Sequence, residues 1–157
     1  MRIKLVTIGK TDQSYIRQGI LEYMRRLEHF VNISVEELPD VRNTKNMSNA
    51  ELQRREGEIL QRGLSGSDVI ILLDEKGQSF SSREMAAWLN KILISGPREL
   101  AFVCGGAFGF SEDIYKLAHY LISLSRLTFT HQMARLIFLE QLYRSFTILK
   151  GMPYHND

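Results

Sequence analysis

The sequence lacks most features of secreted, disulfide-bonded and membrane-spanning proteins. It has a single cysteine, Cys104, in 157 residues, so no disulfide can form within one chain, which favours a reducing cytosol. The longest apolar runs, such as VIILL at residues 69–73, fall far short of the roughly 20 residues that a membrane-spanning helix needs. Met1 leads directly into the charged stretch RIKLVTIG, which has no apolar signal core. We therefore expect a cytoplasmic protein with no membrane span.

Motifs for several common chemistries are also missing. The stretch IGKT at residues 8–11 lacks the glycine that a phosphate-binding P-loop requires five residues before Gly9, and no G-x-S-x-G nucleophile elbow occurs. The histidines are scattered without metal-ligand spacing: His29, His119, His131 and His155. We expect no metal site, and we interpret His29 as a surface residue and His119 as a structural one. His131, at the start of a predicted helix, is open to a capping, loop-ordering or catalytic role.

The composition is that of one globular domain. Hydrophobic residues make up 44% of the chain and charged residues 24%, and the length supports one sizeable core. We therefore expect a single domain over residues 1–157. The net charge of +2 is too small to mark a nonspecific polyanion binder. Basic residues are nevertheless in excess near the C-terminus, where five Lys and Arg stand against two Glu and Asp from residue 114 onward.

Strand and helix patterns alternate along the chain. Strands are predicted over residues 3–9, 32–38, 68–74, 99–106 and 119–125. Helices are predicted between them, with Ser48 and Ser81 opening two of them in capping boxes, Ser111 capping a short one, and Thr130 opening a long one to about Lys150. Apolar strands that alternate with helices predict an α/β fold with a mostly parallel sheet of about five strands and helices on both faces.

Ligands of such sheets bind beyond the carboxyl ends of the strands. Three loops follow strands in this way: LDEKGQ at residues 73–78, CGGAFG at residues 104–109 and SLSRLTFTH at residues 123–131. In the second loop Gly105, Gly106 and Gly109 allow the backbone to approach a ligand closely, but their spacing fits a plain tight turn equally well. Cys104 precedes them in an apolar run, and we interpret it as a small buried side chain rather than a nucleophile.

The last predicted helix is apolar on almost every side. Only a narrow polar strip, mainly Glu140, Gln141 and Arg144, interrupts its apolar residues, so the helix must be buried almost all round. A second copy of the chain is the simplest cover, and burial within one chain is the alternative. Arg144 could pair with Glu140 one turn earlier, or it could place a fixed positive charge beside the C-terminal tail, which holds Tyr154 and His155.

Several stretches of the chain together resemble the RlmH family of SPOUT-class methyltransferases. They are VIILLDEKGQSFSSREMA, FVCGGAFGF, SLSRLTFTHQMARLIFLEQLYRSF and the terminal PYH, and with IKLVTIGK at the start the resemblance covers essentially the whole chain. Members methylate N3 of a pseudouridine in the 23S RNA of the large ribosomal subunit. The resemblance therefore implies a SPOUT α/β fold with a deep C-terminal trefoil knot, a homodimer that acts on the ribosome in the cytoplasm, and S-adenosylmethionine as methyl donor.

The resemblance also implies which residues form the site. Matching the motifs gives a donor site of Leu73, Gly105, Leu124, Ser125, Arg126, Leu127, Thr128 and Phe129. Among the catalytic candidates, Arg144 would stabilise the developing imide anion, His155 would accept or relay its proton or position the base, and Tyr154 would order the tail or stack on the flipped nucleoside. Thr130 stands where many relatives have proline, and we expect its hydroxyl to cap the helix.

Two other functions stay open at this point. The same fold could serve as a noncatalytic ribosome-binding dimer, or it could methylate another RNA base such as a tRNA nucleotide, because a fold does not determine its function. The intact glycines of CGGAFG and the terminal Tyr154 and His155 favour an enzyme. The lack of an added RNA-binding domain favours methylation of assembled ribosomes.

Overall fold

The computed structural model describes residues 1–156 of the chain as an alternation of strands and helices. In chain order they are β1 (Arg2–Ile8), α1 (Ser14–Leu27), β2 (Asn32–Leu38), α2 (Asn49–Gly63), β3 (Val69–Ser79), α3 (Ser82–Ile94), β4 (Glu99–Cys104), α4 (Glu112–Leu117), β5 (Tyr120–Ser123) and α5 (His131–Leu149). A short 3₁₀ turn, Thr44–Asn46, lies between β2 and α2. The predicted order of strands and helices is confirmed.

The five strands form one parallel sheet in the order β2-β1-β4-β3-β5. Helices α1, α3 and α5 cover one face, where Phe102 and Phe138 are in the core, and α2 and α4 cover the other face, where Leu60 and Ile114 are buried. Because both faces are covered, central strands such as β1 and β4 are buried along almost their whole length. The predicted α/β class, with helices on both faces, is confirmed.

The helix starts follow the predicted caps with two differences. Ser81 and Glu84 form a complete capping box, and Thr130 Oγ1 accepts from the Met133 N–H at 3.2 Å, as expected. Ser48 accepts from the Glu51 N–H, but the Glu51 carboxylate pairs with Arg55 instead of returning to the cap. Ser111 is the N-cap residue of α4 as predicted, but its hydroxyl lies against Gly57 and makes no cap hydrogen bond.

Strand β3 is longer than predicted, because the residues after Asp74 continue along β5. Leu73 and Gln78 both pair with Ile122, with a register shift between them. A Cβ built on Gly77 in this stretch would lie 2.5 Å from the backbone nitrogen of Ile122, so only glycine allows the two backbones to approach so closely. The C-terminal trefoil knot expected from the resemblance stays a prediction.

The buried Arg135 attaches the start of α5 to the end of β1. Its guanidinium donates to the carbonyls of Ile8 and Gly9 at 2.7 and 3.0 Å and to Thr11 Oγ1 at 2.9 Å. Glu37 Oε1 lies 3.9 Å away and supplies a compensating charge. These bonds hold the first turns of α5 at the carboxyl edge of the sheet, beside the loops where a ligand site is expected.

The structure confirms the roles predicted for two of the histidines. His29 is exposed, and His119 Nδ1 accepts from the Ile70 N–H at 3.1 Å, so their assignments as surface and structural residues are confirmed.

Among residues 1–156, no helix has the length and apolar character needed to cross a membrane. The same residues contain no group of three or more His, Cys, Asp and Glu side chains placed to hold a metal ion.

Candidate active site

A cavity of about 600 Å³ opens at the carboxyl edge of the sheet. Its walls come from the end of β3 and the loops after β4 and β5, three strands that are adjacent in the sheet. Gln53 of α2, Tyr115 of α4, and His131 and Ala134 of α5 complete the walls. The volume suits a ligand the size of a nucleoside with a short side chain.

Most of the predicted donor-binding residues line this cavity. The lining includes Leu73, Gly105, Leu124, Ser125, Leu127, Thr128 and Phe129. Arg126 is the exception, because its exposed side chain lies outside the wall. Local bonds fix this loop: Ser123 Oγ donates to the Ser125 carbonyl at 3.0 Å, and Ser125 Oγ accepts from the Leu127 N–H at 2.9 Å. The role of these residues in donor binding stays a prediction.

The glycine loop, CGGAFG at residues 104–109 after β4, packs against α2. Gln53 Nε2 donates to the Phe108 carbonyl, and a Cβ built on Gly106 would lie 2.7 Å from both carboxylate oxygens of Glu56. The Glu56 side chain is nearly buried, and within residues 1–156 no hydrogen-bond donor reaches it. Burial and, to a smaller degree, the negative charge of Asp40 raise the pKa of Glu56. The glycine loop therefore rests on a carboxyl group that is costly to ionise.

A second contact joins α4 to the end of β3. Asp74 accepts from the Tyr115 hydroxyl and, at 2.8 Å, from the Lys76 N–H. Burial and then the bond to Asp74 raise the pKa of Tyr115 to about 12, so the hydroxyl stays protonated. The Tyr115 ring lies edge-on to Phe110, whose ring in turn blocks the Cβ position of Gly105. The strand end, the short helix and the glycine loop thus form one continuous wall.

Cys104 and His131 meet at the floor of the cavity. The Cys104 thiol donates to the His131 carbonyl at 3.6 Å, and burial raises the pKa of the thiol to about 11. Cys104 is therefore a buried structural side chain, as predicted, because a protonated thiol is a poor nucleophile. His131 is exposed at the first position of α5 and lines the cavity, so its alternatives stay open.

The C-terminal tail is tied to the helix that precedes it. Gly151 has φ +64°, and the Met152 N–H donates to the Thr147 carbonyl at 2.9 Å, which turns the chain back at the end of α5. Tyr154 then lies edge-on to Tyr143 with 4.8 Å between ring centroids. The Tyr154 hydroxyl donates to Glu140 at 3.1 Å and is 3.2 Å from the Tyr23 hydroxyl.

Arg144 connects the helix to the tail. It forms an ion pair with Glu140, Nη1 lies 3.3 Å from His155 Nδ1, and Cζ lies 4.8 Å from the centroid of the Tyr154 ring. Both roles considered for Arg144 are therefore seen together, since it pairs with Glu140 and also places a positive charge beside the tail. The bond to Glu140 raises the pKa of Arg144, which keeps the guanidinium charged.

These contacts determine where protons lie in the tail. A guanidinium has donors only, so His155 Nδ1 accepts in its contact with Arg144, and a neutral imidazole then carries its proton on Nε2. Burial and then the bonds to Tyr23 and Glu140 raise the pKa of Tyr154, so its hydroxyl stays a donor. In this arrangement Tyr154 is unsuited to act as a base.

The two sets of predicted residues lie along different parts of α5, the cavity at its start and the tail group along its second half. The cavity lining includes Ala134 but none of Arg144, Tyr154 and His155. The helical stretch from Ala134 to Arg144 corresponds to about 15 Å along the axis. One subunit therefore does not bring its own tail to its own cavity.

Sequence reasoning missed three residues of this region. Glu56 and Arg135 are charged side chains at core-facing positions, since Leu60 follows Glu56 by four residues and Phe138 and Leu139 follow Arg135 by three and four. That spacing was the available signal for both. No local pattern indicates that Tyr23 of α1 meets Tyr154 of the tail, because 131 residues separate them in the sequence.

A comparison with protein families decides the class of this fold. The family described as "Predicted SPOUT methyltransferase" matches residues 1–155. The chain belongs to the SPOUT methyltransferase family. Membership confirms the enzyme class that the sequence motifs indicate, and the cavity described above lies at the sheet edge where an α/β fold binds its ligands.

Individual relatives of this SPOUT methyltransferase match over their full lengths. A protein of Parabacteroides distasonis is 47% identical and one of Flavobacterium johnsoniae is 48% identical, each over 157 residues and 100% of both chains. Both relatives bear the name ribosomal RNA large subunit methyltransferase H.

Solved structures agree at the level of the fold. The crystal structure of a probable methyltransferase from Bordetella pertussis has a TM-score of 0.55 at 12% identity and covers 92% of this chain and 95% of that chain. A putative methylase family protein from Neisseria gonorrhoeae has a TM-score of 0.52 at 13% identity, with 99% of this chain and 86% of that chain covered. At these identities the likeness concerns the fold alone.

Proposed function

We propose that this protein uses S-adenosylmethionine to methylate N3 of a pseudouridine in a loop of 23S ribosomal RNA, on assembled ribosomes in the cytoplasm. Family membership, the printed names of the full-length relatives and the motif resemblance support this proposal. The observation that carries it is the presence of two separate groups, a ligand-sized cavity at the start of α5 and a set of proton-donating and cationic side chains along its second half and the tail.

The cavity suits the proposed donor in size and in the position of its walls. Its volume of about 600 Å³ is within the range of small-molecule sites, and Leu73, Gly105 and residues 124–129 would hold the donor largely through backbone groups. When bound, S-adenosylmethionine supplies a methyl group activated by a sulfonium. The chain's task is then to hold the acceptor nitrogen in line with that group, and orientation alone is worth roughly 7 to 11 kcal/mol.

A second copy of the chain would bring the two halves of the site together. On α5, Ile137, Arg144 and Ile148 lie at seven- and eleven-residue spacings on one helical face. The two isoleucines are only partly buried in one subunit, and they are absent from both core clusters. An isologous contact along this face buries the isoleucines and carries the tail of one subunit toward the cavity of its partner.

The tail residues then act on the acceptor base. The imide nitrogen must lose a proton, and Arg144, which remains charged beside Glu140, stabilises the negative charge that develops on the imide. Arg144 contacts His155 at Nδ1 and holds the imidazole in place, and the imidazole exchanges a proton with the substrate or with water. Tyr154 orders the tail, because its ring and hydroxyl are already engaged with Tyr143, Glu140 and Tyr23.

The modest charge of the chain fits a ribosomal substrate. Affinity for isolated RNA increases with the number of phosphates neutralised, and a net charge of +2 provides little of this attraction. Folded ribosomal RNA presents unpaired loop bases, which proteins read more readily than paired ones. We therefore expect methylation of ribosomes to be much faster than methylation of the same loop as a free oligonucleotide.

The direct test separates donor binding from methyl transfer. Donor affinity is measured by calorimetry, and ribosome methylation by incorporation of labelled methyl groups with mass spectrometry of the rRNA, for Arg144→Ala and for a chain ending at Pro153. We expect a donor Kd within about twofold of wild type and a methylation rate at least about 100-fold lower, as for the loss of one electrostatic stabiliser. Full activity after truncation would remove the tail from the mechanism, and methyl groups on another base would contradict the target.

Arg98→Ala provides the matched control. Arg98 is 91% exposed, pairs with Asp68 and lies at the start of β4, on the edge of the sheet opposite the cavity. Its loss removes the same charge and side-chain volume as Arg144→Ala. Unchanged donor binding and methylation are expected, so a general charge effect on ribosome binding is separated from a role at the site.

A further inference from the structure

The mouth of the cavity carries two large apolar side chains in contact with solvent. Phe108, in the glycine loop, is 45% exposed, and Leu127, in the loop after β5, is 76% exposed. Both residues line the same cavity. Single exposed apolar residues are ordinary on protein surfaces, but these two line one cavity and are both in contact with solvent.

Hydrogen bonds hold the backbone around Phe108 in place. The Gly109 N–H donates to the Gly106 carbonyl at 3.3 Å, Gly109 has φ +77°, and Gln53 Nε2 donates to the Phe108 carbonyl. The next residue, Phe110, is buried against Tyr115. The aromatic ring of Phe108 is therefore presented to solvent by an anchored loop, which reduces the entropy lost when the ring binds a partner.

One exposed cation lines the cavity with Phe108, and a second is a sequence neighbour of cavity residues. Lys76 lines the cavity, and Arg126 adjoins the cavity residues Ser125 and Leu127. Neither side chain forms a hydrogen bond or ion pair within residues 1–156, whereas the surface arginines of α1 and α2, such as Arg26 and Arg55, pair with glutamates. Glu75 is the carboxylate at this mouth that is not engaged by Tyr115. An aromatic ring flanked by available cations is the combination that binds unpaired nucleotides.

We propose that Phe108 stacks on a nucleobase of the substrate RNA at the cavity mouth, while Lys76 and Arg126 contact the adjoining phosphates. This rests on the proposed function, because it assumes an RNA substrate. A base that enters the cavity must leave its neighbours in the RNA, and an aromatic face at the entrance replaces the stacking that is lost. Phe108 is thus a substrate-positioning residue, separate from the residues that hold the donor.

The first test compares ring and aliphatic side chains at position 108. Phe108→Leu keeps an apolar side chain without an aromatic face, and Phe108→Trp enlarges that face. We expect Phe108→Leu to lower kcat/KM for ribosomes by about 10- to 100-fold, in line with the loss of one stacked base, while Phe108→Trp retains it. The donor Kd should stay within about twofold of wild type in both. Equal activity of the two variants, or a parallel loss of donor affinity, would overturn the proposal.

A second test has a readout besides activity. The chain has one tryptophan, Trp88, which packs between Phe80 and Tyr120, so Trp88→Phe combined with Phe108→Trp gives a single fluorescent reporter at the cavity mouth. We expect a single-stranded RNA oligonucleotide at low salt to quench this fluorescence over the concentrations at which anisotropy of labelled RNA reports binding. Bound RNA without quenching would overturn the proposal.

Ribosome methylation by the wild-type protein distinguishes failure of this inference from failure of the proposed function on which it rests. If wild type methylates ribosomes and Phe108→Leu does so equally well, the stacking role is wrong and the proposed function stands. If wild type methylates no ribosomal RNA, the proposed function fails first. In that case quenching of the fluorescent reporter at the cavity mouth by RNA would still support a nucleotide-binding mouth, and its absence would overturn that as well.

Discussion

At the scale of single residues, the most unusual group is the Glu56 carboxyl under the glycine loop. Its side chain is only 9% exposed, and its pKa is raised above the usual 4.5 by burial and by Asp40. A carboxyl whose pKa is higher in the folded state binds more protons when folded. Its stabilising contribution to the free energy of unfolding is therefore fully present below the pKa that the carboxyl has in the unfolded chain. This contribution is lost as the pH rises through its pKa in the folded protein.

Glu56→Gln tests this pH dependence. The neutral amide has the shape of the protonated acid, so we expect the variant to unfold at a higher temperature than wild type at pH 7.5, with a difference that shrinks as the pH falls toward 4.5. Thermal unfolding followed by circular dichroism across this range checks it. Glu58→Gln, at an exposed position of the same helix that pairs with Arg54, should show no comparable trend. A variant less stable than wild type at pH 7.5 would indicate an unseen partner for the carboxylate.

Arg135, in contrast, is a buried charge whose two Nη atoms are hydrogen-bonded, while its Nε has no partner among residues 1–156. Arg135→Ala leaves the carbonyls of Ile8 and Gly9 without their donor and opens a cavity, so we expect a loss of about 3 kcal/mol or more in the free energy of unfolding. Denaturant titration measures this loss. Arg17→Ala is the matched control, because Arg17 donates to the nearby Thr11 carbonyl from an exposed position and should cost under about 1 kcal/mol. Equal losses would mean that burial is irrelevant at Arg135.

These residues also mark a limit of sequence reasoning. Cys104 and His119 could be assigned from their apolar or strand context, and the structure agrees. Their spacing places Glu56 and Arg135 on buried helix faces, but neither the partners of Arg135 nor the lack of a hydrogen-bond donor for Glu56 within residues 1–156 could be predicted. The carbonyls that satisfy Arg135 lie more than a hundred positions away in the sequence. Periodicity reports which side of a helix is buried, not what it is buried against.

At the scale of secondary-structure elements, the junction of β3 and β5 depends on one glycine. A Cβ on Gly77 would lie 2.5 Å from backbone of Ile122, and backbone cannot move aside as a side chain can. We expect Gly77→Ala to destabilise the fold by about 3 kcal/mol or more, at the upper end of overpacking effects. Thermal unfolding measures this, and failure to yield soluble protein would agree with it.

Gly66→Ala separates this steric effect from backbone strain. Gly66 has φ +87° and open space around its Cβ position, so an alanine there costs only the left-handed conformation, roughly 1 to 2 kcal/mol. Gly77 is outside the left-handed region, so its cost is steric. A Gly77→Ala variant as stable as Gly66→Ala would contradict the close approach of the two strands.

The element boundaries show why this junction was hard to predict. Apolar periodicity placed β1, β2 and β4 close to their observed ends, because their burial follows directly from the pattern. The extension of β3 through EKGQS is polar and exposed except at Gly77, and it pairs with β5 only through a register shift. Its strand character arises from a tertiary contact, and no local propensity encodes it.

At the scale of the whole molecule, the account requires a dimer. Sedimentation equilibrium of wild type should give twice the chain mass of 18.1 kDa. A charge at the partly buried Ile137, introduced as Ile137→Glu, should yield monomers, because it places an unpaired carboxylate in the proposed contact. Leu117→Glu is the control, since Leu117 is 37% exposed on α4, on the opposite face of the sheet. A monomeric wild type would exclude the shared site.

The sequence resemblance implied two groups of site residues, and the fold explains where each group lies. The residues predicted to bind the donor meet because β4, β3 and β5 are neighbours that end at one edge, which follows from an α/β fold. The distance between cavity and tail depends on the length of α5 and on the turn at Gly151, which only the structure provides.

Mixed dimers test the shared site most directly. One subunit carries Arg144→Ala, which spares the cavity, and the other carries Thr128→Trp, which fills the cavity and spares the tail. Two affinity tags isolate the co-expressed mixed dimer, and each pure variant is first shown to be inactive on ribosomes. If the cavity of one subunit works with the tail of the other, the mixed dimer has one intact site and about half the wild-type methylation rate. A mixed dimer as inactive as its parents would contradict the account.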